Sequence, residues 1–107
     1  MLFVSGQIPL DSLGNLVEHG DLRAQVKQVL ENMKLVLEEG GADFSNVVTC
    51  TTYLRNFEDV EKLRKIRKEL FPQYLLDSVY PPNTLLVVDS LYSKDILVEI
   101  EAVAVTD

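Results

Sequence analysis

The sequence predicts a single α+β domain in two layers, a mixed β-sheet with two helices packed on one of its faces. Apolar residues recur at helical spacing in only two stretches, and β-branched or alternating runs flank them, in the order strand, strand, helix, strand, helix, strand, strand. With 107 residues, 47% hydrophobic and 25% charged, the chain suits one core and one domain over residues 1–107.

The first strand opens at Leu2–Val4, and Ser5-Gly6-Gln7 follows, where glycine lets the backbone turn or approach a ligand closely. Asp11, Gly14 and Asn15 mark a turn, Leu16-Val17 a brief second strand, and His19-Gly20 a loop. From Asp21 the period changes. Leu22, Val26, Val29, Leu30, Met33, Val36 and Leu37 form one helical stripe, with Asp21 as N-cap and Gly40-Gly41 as the stop. Val47 to Leu54 is a β-branched strand. Phe57 to Phe71 is a second amphipathic helix carrying Val60, Leu63, Ile66 and Leu70, and Pro72 ends it. A loop runs to Tyr80-Pro81-Pro82. Asn83 to Leu91 and Ile96 to Val105 are the last strands, joined through the turn Tyr92 to Asp95 as a hairpin.

The final strand reads ILVEIEAVAV, and its two acids need an explanation. Alternation puts Glu99 and Glu101 on one face with Leu97, Val103 and Val105, while Ile96, Val98, Ile100, Ala102 and Ala104 form the other. Both faces are largely apolar, which places the strand in mid-sheet, covered on both sides. Two helices cover only one side, so a second copy of the chain is expected on the other, and sites then fall at subunit boundaries. The two carboxylates stand ~7 Å apart and repel by about 2 kcal/mol at an effective dielectric constant of about 20, which raises the first proton affinity of the pair. A carboxyl raised this way is a general acid or base near neutrality. The structural alternative is a pair that faces solvent or meets a Lys or Arg across an interface.

Composition narrows the function. The net charge of -7 repels phosphate backbones and anionic membranes. Lys62, Arg64, Lys65, Arg67 and Lys68 form a local basic patch, but Glu58, Asp59, Glu61 and Glu69 lie among them, as on a solvated, self-compensating helix face. One cysteine, Cys50, forbids an intrachain disulfide, implies a reducing cytoplasmic setting, and reads as a small buried hydrophobe. No basic region precedes an apolar stretch, and no run approaches the ~20 residues of a membrane helix. The only histidine, His19, sits in a glycine-containing turn far from Cys50, so neither a metal set nor a Ser-His-Asp triad is expected. There is no phosphate-cradling glycine loop.

Three segments carry a resemblance: SGQIPLD at Ser5 to Asp11, QVLENMKLVLEEGGADFSNVV at Gln28 to Val48, and KDILVEIEAVAV at Lys94 to Val105. Together they resemble the RidA/YjgF family, from Leu2 to the C-terminus. The resemblance implies a chorismate-mutase-like fold and a homotrimer with a central barrel and three intersubunit clefts. It also implies hydrolysis of reactive imines and enamines to ketoacids and ammonia without a cofactor. Some members are ribonucleases or translation inhibitors. Glu99 falls on the glutamate thought to activate water, and Ser5-Gly6 on the turn lining the cleft. The family's deaminases hold the substrate carboxylate with an arginine where this chain has Asn83, and many carry cysteine where it has Leu85. An asparagine common on the second helix is Glu61 here, and the family's usual N-terminal segment, with a cleft-facing tyrosine, does not occur in this sequence, so either the family's first strand is missing or the chain has been cut. Losing a charged hydrogen bond weakens binding roughly ten- to more than a hundredfold, so Asn83 suits a neutral amide, a carbonyl or a weakly held acid. The expected function is therefore binding of a small carbonyl, imine or enamine metabolite in an intersubunit cleft, with Glu99 as catalytic acid and Ser5, Gly6, Asn83 and Leu85 as ligand contacts. The alternatives are a non-catalytic ligand sensor on the same fold and an RNA-cleaving or translation-inhibiting protein.

Overall fold

The computed structural model of the chain describes residues 1–17, 19–75 and 80–106. Strands β1 (Leu2–Gln7), β2 (Val47–Leu54), β3 (Asn83–Val87) and β4 (Val98–Ala104) form one sheet in the order β1-β4-β2-β3. β4 runs antiparallel to both of its neighbours, and β2 and β3 are parallel. Helices α1 (Leu22–Glu39) and α2 (Val60–Leu70) share one hydrophobic core with the sheet, the two-layer α+β arrangement the periodicity predicts.

α1 begins where expected: the Asp21 side chain accepts from the Ala24 N–H at 3.0 Å, and the helix ends at Gly40. Its stripe of Leu22, Val26, Val29, Leu30, Met33 and Leu37 is buried, each large side chain contributing about 1.5 to 3 kcal/mol over an exposed position. Val36, at the stripe's edge, stays exposed. The second helical stretch is shorter than expected, with 3-10 turns at Phe57–Asp59 and Phe71–Gln73 bracketing α2, so Pro72 lies in the closing turn. Its inward residues are Leu63, Ile66 and Leu70.

Three sequence expectations need correction. Ser5-Gly6-Gln7 is no turn: β1 continues through it with a bulge, Val4 pairing with Ala102 and Gln7 with Ile100, so that Ser5 and Gly6 together face Glu101. Leu16-Val17 is not a strand. It makes a single bridge, Leu10 to Leu16, closing a turn in which Asp11 Oδ1 accepts from the N–H groups of Leu13 and Asn15. The last two strands form no hairpin either, because β2 lies between them. β3 returns through α2 to lie parallel to β2 and ends at Val87, and residues 88–97 then carry the chain to the far side of β2. That span exceeds a hairpin loop. Residues 76–79 of the expected loop before Tyr80 lie outside the described residues.

β4 alternates as read: Val98, Ile100, Ala102 and Ala104 are buried under the helices, and Glu99, Glu101 and Val103 are half-buried on the other face. That face carries no helix, and Phe3 is 77% exposed. The buried Gln25 of α1 fixes the start of β4, its Nε2 donating to the Asp95 carbonyl at 3.1 Å and its Oε1 accepting from the Leu97 N–H at 2.8 Å. No helix among the described residues is long and apolar enough to cross a membrane.

Candidate functional site

Chemistry-bearing side chains gather in two places, one on each face of the sheet. On the open face, Glu99 stands opposite Tyr53 of β2, and its carboxylate lies over Gly6 of the β1 bulge. A Cβ at Gly6 would overlap Glu99 Oε2, so the glycine is what lets the carboxylate sit there. Burial, and then the neighbouring Glu101, push the Glu99 carboxyl above the ordinary carboxylate range. Tyr53 reaches diagonally across the strands and donates its hydroxyl to Glu101 Oε1 at 2.7 Å. That bond, together with the two nearby carboxylates, raises the Tyr53 phenol, which remains a proton donor at neutral pH. Beside this cluster, a groove of about 250 Å³ is lined by Phe3, Ser5, Thr49, Thr51, Glu101 and Val103. The arrangement offers one carboxyl poised to exchange a proton, next to a carboxylate already engaged by a phenol.

The second place is the helix-side edge of β3. Asn83 and Leu85 point toward the helices, in register with Cys50 and Thr52. The Thr52 hydroxyl donates to Asn83 Oδ1 at 2.8 Å. Cys50 is buried, and burial raises its thiol, so it is the small hydrophobe the sequence predicts rather than a nucleophile. Leu85 is half-buried against the core. Phe71 closes this edge, with Tyr80 edge-on at 5.3 Å and the Arg67 guanidinium 4.8 Å from its ring centroid.

Of the five residues singled out from the sequence, Ser5, Gly6 and Glu99 meet on the open face, whereas Asn83 and Leu85 lie on the opposite one. Register places Glu99 beside Tyr53 and Asn83 beside Cys50, three residues along β2 and two strands over, roughly 14 Å between backbones. No small ligand touches both within one chain.

Sequence reasoning missed Tyr53, Thr52 and Arg67. The spacing of four from Leu63 marks Arg67 as bordering the buried stripe, but Tyr53 enters only once β2 is known to flank β4. Two of the five basic-patch residues have acidic partners close in sequence: Arg64 with Glu61 at 3.3 Å and Lys62 with Asp59 at 4.0 Å. His19 is exposed, 3.8 Å from Asp95, and among the described residues no group of His, Cys, Asp and Glu is placed to hold a metal ion.

Comparison with known proteins matches this architecture. A family model described as Endoribonuclease L-PSP covers residues 1–106. A RutC family protein of Pyrococcus abyssi is 38% identical over 103 residues, 96% of this chain and 76% of the relative. A protein of Dermatophagoides farinae named 2-iminobutanoate/2-iminopropanoate deaminase is 33% identical over 106 residues, 99% of this chain and 78% of the relative. The solved YjgF gene product of E. coli superposes with a TM-score of 0.85 at 28% identity, over 98% of this chain and 80% of its own.

Proposed function

Since the chain belongs to the endoribonuclease L-PSP family, the family of the RidA/YjgF proteins it resembles, we propose that it works as a homotrimer whose intersubunit clefts bind a small imine, enamine or carbonyl metabolite and hydrolyse the imine. The observation that carries this reading is the Glu99 carboxyl, half-buried over Gly6, its proton affinity raised by burial and by Glu101. As a general base it takes a proton from water while the oxygen attacks the imine carbon. That proton passes to the nitrogen to give the carbinolamine, whose hydroxyl proton then moves to the amine as the carbon–nitrogen bond breaks and the carbonyl forms, so that one imine and one water give one carbonyl product and one ammonia. The deaminase name of the D. farinae relative supports the same reaction class.

The separation of the two clusters supports a cleft between copies: if Asn83 and Glu99 face one ligand, they come from different subunits. The exposed Phe3 and the uncovered face of β4 support the same assembly. A single buried cysteine fits a cytoplasmic setting.

The test is release of ammonia from enzymatically generated 2-aminoacrylate. Acceleration by the wild type, lost in Glu99→Gln, is the expected result. No acceleration, with activity gained by Asn83→Arg, would instead favour a second reading, a ligand-binding module without turnover. That reading draws its support from Asn83, a neutral amide at the position where the family's deaminases hold a cation.

A further inference from the structure

Glu99 and Glu101 leave the same face of β4 two residues apart, yet the structure treats them differently. Glu99 lies over Gly6, and among the described residues no N–H or O–H group donates to its carboxylate. Glu101 is held: the Tyr53 hydroxyl donates to its Oε1 at 2.7 Å. Tyr53 stands opposite Glu99 in the register, so its ring starts beside one acid and its hydroxyl ends on the other. A phenylalanine at this position would cover Glu99 equally and leave Glu101 without a donor.

The rest of the face supplies no substitute for the phenol. β1 presents Phe3 and the Ser5-Gly6 bulge there, and β2 adds Thr49 and Thr51. Beyond the two acids and Tyr53, the only titratable side chain in the four strands is Cys50, which is buried on the helix side. Arg55, the next charged residue after β2, gives its guanidinium to the Lys94 carbonyl. Two carboxylates about 7 Å apart hold a proton as a pair, and their surroundings settle which of them carries it. A hydrogen bond to a charged oxygen favours the charged form, and burial favours the neutral one. The phenol therefore keeps the charge on Glu101, while burial draws the proton to Glu99.

We propose that Tyr53 is a positioning residue: its hydroxyl ties Glu101 to β2 as a fixed, hydrogen-bonded carboxylate and so leaves Glu99 as the one acid of the pair free to exchange a proton with water and substrate. The assignment rests on the imine reading above and deepens it, since Glu99 is the base of that reaction and Tyr53 acts on it through Glu101. Without the hydroxyl the two glutamates become near-equivalent, and a loose second carboxylate competes with Glu99 for the same water and the same proton.

The experiment compares the intact wild type, Tyr53→Phe, Glu101→Gln and the double variant. Carbon-detected NMR follows the Glu99 carboxyl through a pH titration, and ammonia release from enzymatically generated 2-aminoacrylate is measured at neutral pH. In the wild type Glu99 should titrate in one main step. In Tyr53→Phe it should titrate in two, more than about one pH unit apart, because Glu101 now shares the proton. Ammonia release should fall about three- to tenfold in Tyr53→Phe at unchanged KM. In the Glu101→Gln background, loss of the hydroxyl should change neither readout, because glutamine cannot take the proton. A Glu99 curve that is the same with and without the hydroxyl would overturn the assignment. So would an effect that persists in the Glu101→Gln background, which would make Tyr53 a structural neighbour of Glu99. Unchanged ammonia release in Tyr53→Phe beside the expected titrations would take Tyr53 out of the reaction. A wild type that releases no ammonia while the titrations behave as expected would remove the imine reading and leave Tyr53 its hold on the pair.

Discussion

Replacing Glu101 by Gln tests the electrostatics of the open face most directly. Glu99 and Glu101 are two residues apart on one strand face, so their carboxylates stand about 7 Å apart. At an effective dielectric constant of about 20 the repulsion is about 2.4 kcal/mol, or roughly 1.7 pH units. Both groups are only half-buried, and water screens them, which brings the expected effect to about one unit. Glu101→Gln removes that repulsion and keeps a hydrogen-bond acceptor for Tyr53. The Glu99 titration should therefore move down by about one unit yet remain above an ordinary glutamate, because burial is the larger cause of its elevation. The Tyr53 midpoint should fall part of the way toward an ordinary phenol, since its bond to Glu101 is the largest cause of its shift and a neutral amide accepts that bond more weakly than a carboxylate. Carbon-detected NMR titration of the side-chain carboxyls in both proteins reads this directly. A Glu99 midpoint that stays where it was would show that Glu101 does not couple to it, and the electrostatic account of the pair would fail.

Glu99→Gln should stabilise the protein at neutral pH. A folded-state affinity raised above the unfolded value means that the folded chain holds the proton more tightly, so wild-type stability declines as pH rises through the Glu99 midpoint. The variant lacks that decline. Urea unfolding should show it more stable by up to about 1 kcal/mol at pH 7, a gain that vanishes in acid. Gly6→Ala puts a methyl group where the Glu99 carboxylate lies, and because a flexible side chain yields more easily than backbone, the carboxylate moves while the fold stays. Imine hydrolysis should drop at least about tenfold, with a loss of stability under about 1 kcal/mol; unchanged turnover would release Glu99 from its role. Gln25→Leu strands the Leu97 N–H and the Asp95 carbonyl and should cost about 2 to 4 kcal/mol in urea unfolding, whereas a cost near zero would mean that water replaces the amide.

Periodicity located α1 and its caps because each depends on residues close in sequence. ILVEIEAVAV likewise marked itself as an interior strand, since two apolar faces have few other uses. The hairpin misreading has a physical origin. Alternation states which side chains share a face but says nothing of the neighbouring strand, and β3 takes β2 as its partner through the crossover of α2. Glu99, Ser5 and Gly6 came together only through the family resemblance, because nothing in their own pattern says that β1 lies beside β4 with a bulge opposite Glu101. The position of Asn83 behind the sheet was not legible, since its face depends on a parallel register with β2, a strand distant in sequence. Arg67 was hidden for a related reason: five cations in seven residues read as one surface, although helical geometry turns one of them to the core edge.

The Gln25 clamp bears on how the sequence chooses one structure from its near-copies. A one-residue slip of β4 would drive both acids into the core and is forbidden by their charge. A slip of two residues is not: it preserves the alternation and moves Glu101 to the position over Gly6 that Glu99 occupies. Burial of the alternating apolar residues alone scarcely separates these registers. The amide of Gln25 reads backbone rather than side chains, gripping the carbonyl of Asp95 and the N–H of Leu97, and so counts residues along the strand where hydrophobicity cannot. A helix side chain thereby decides which of two chemically identical glutamates becomes the one over the glycine.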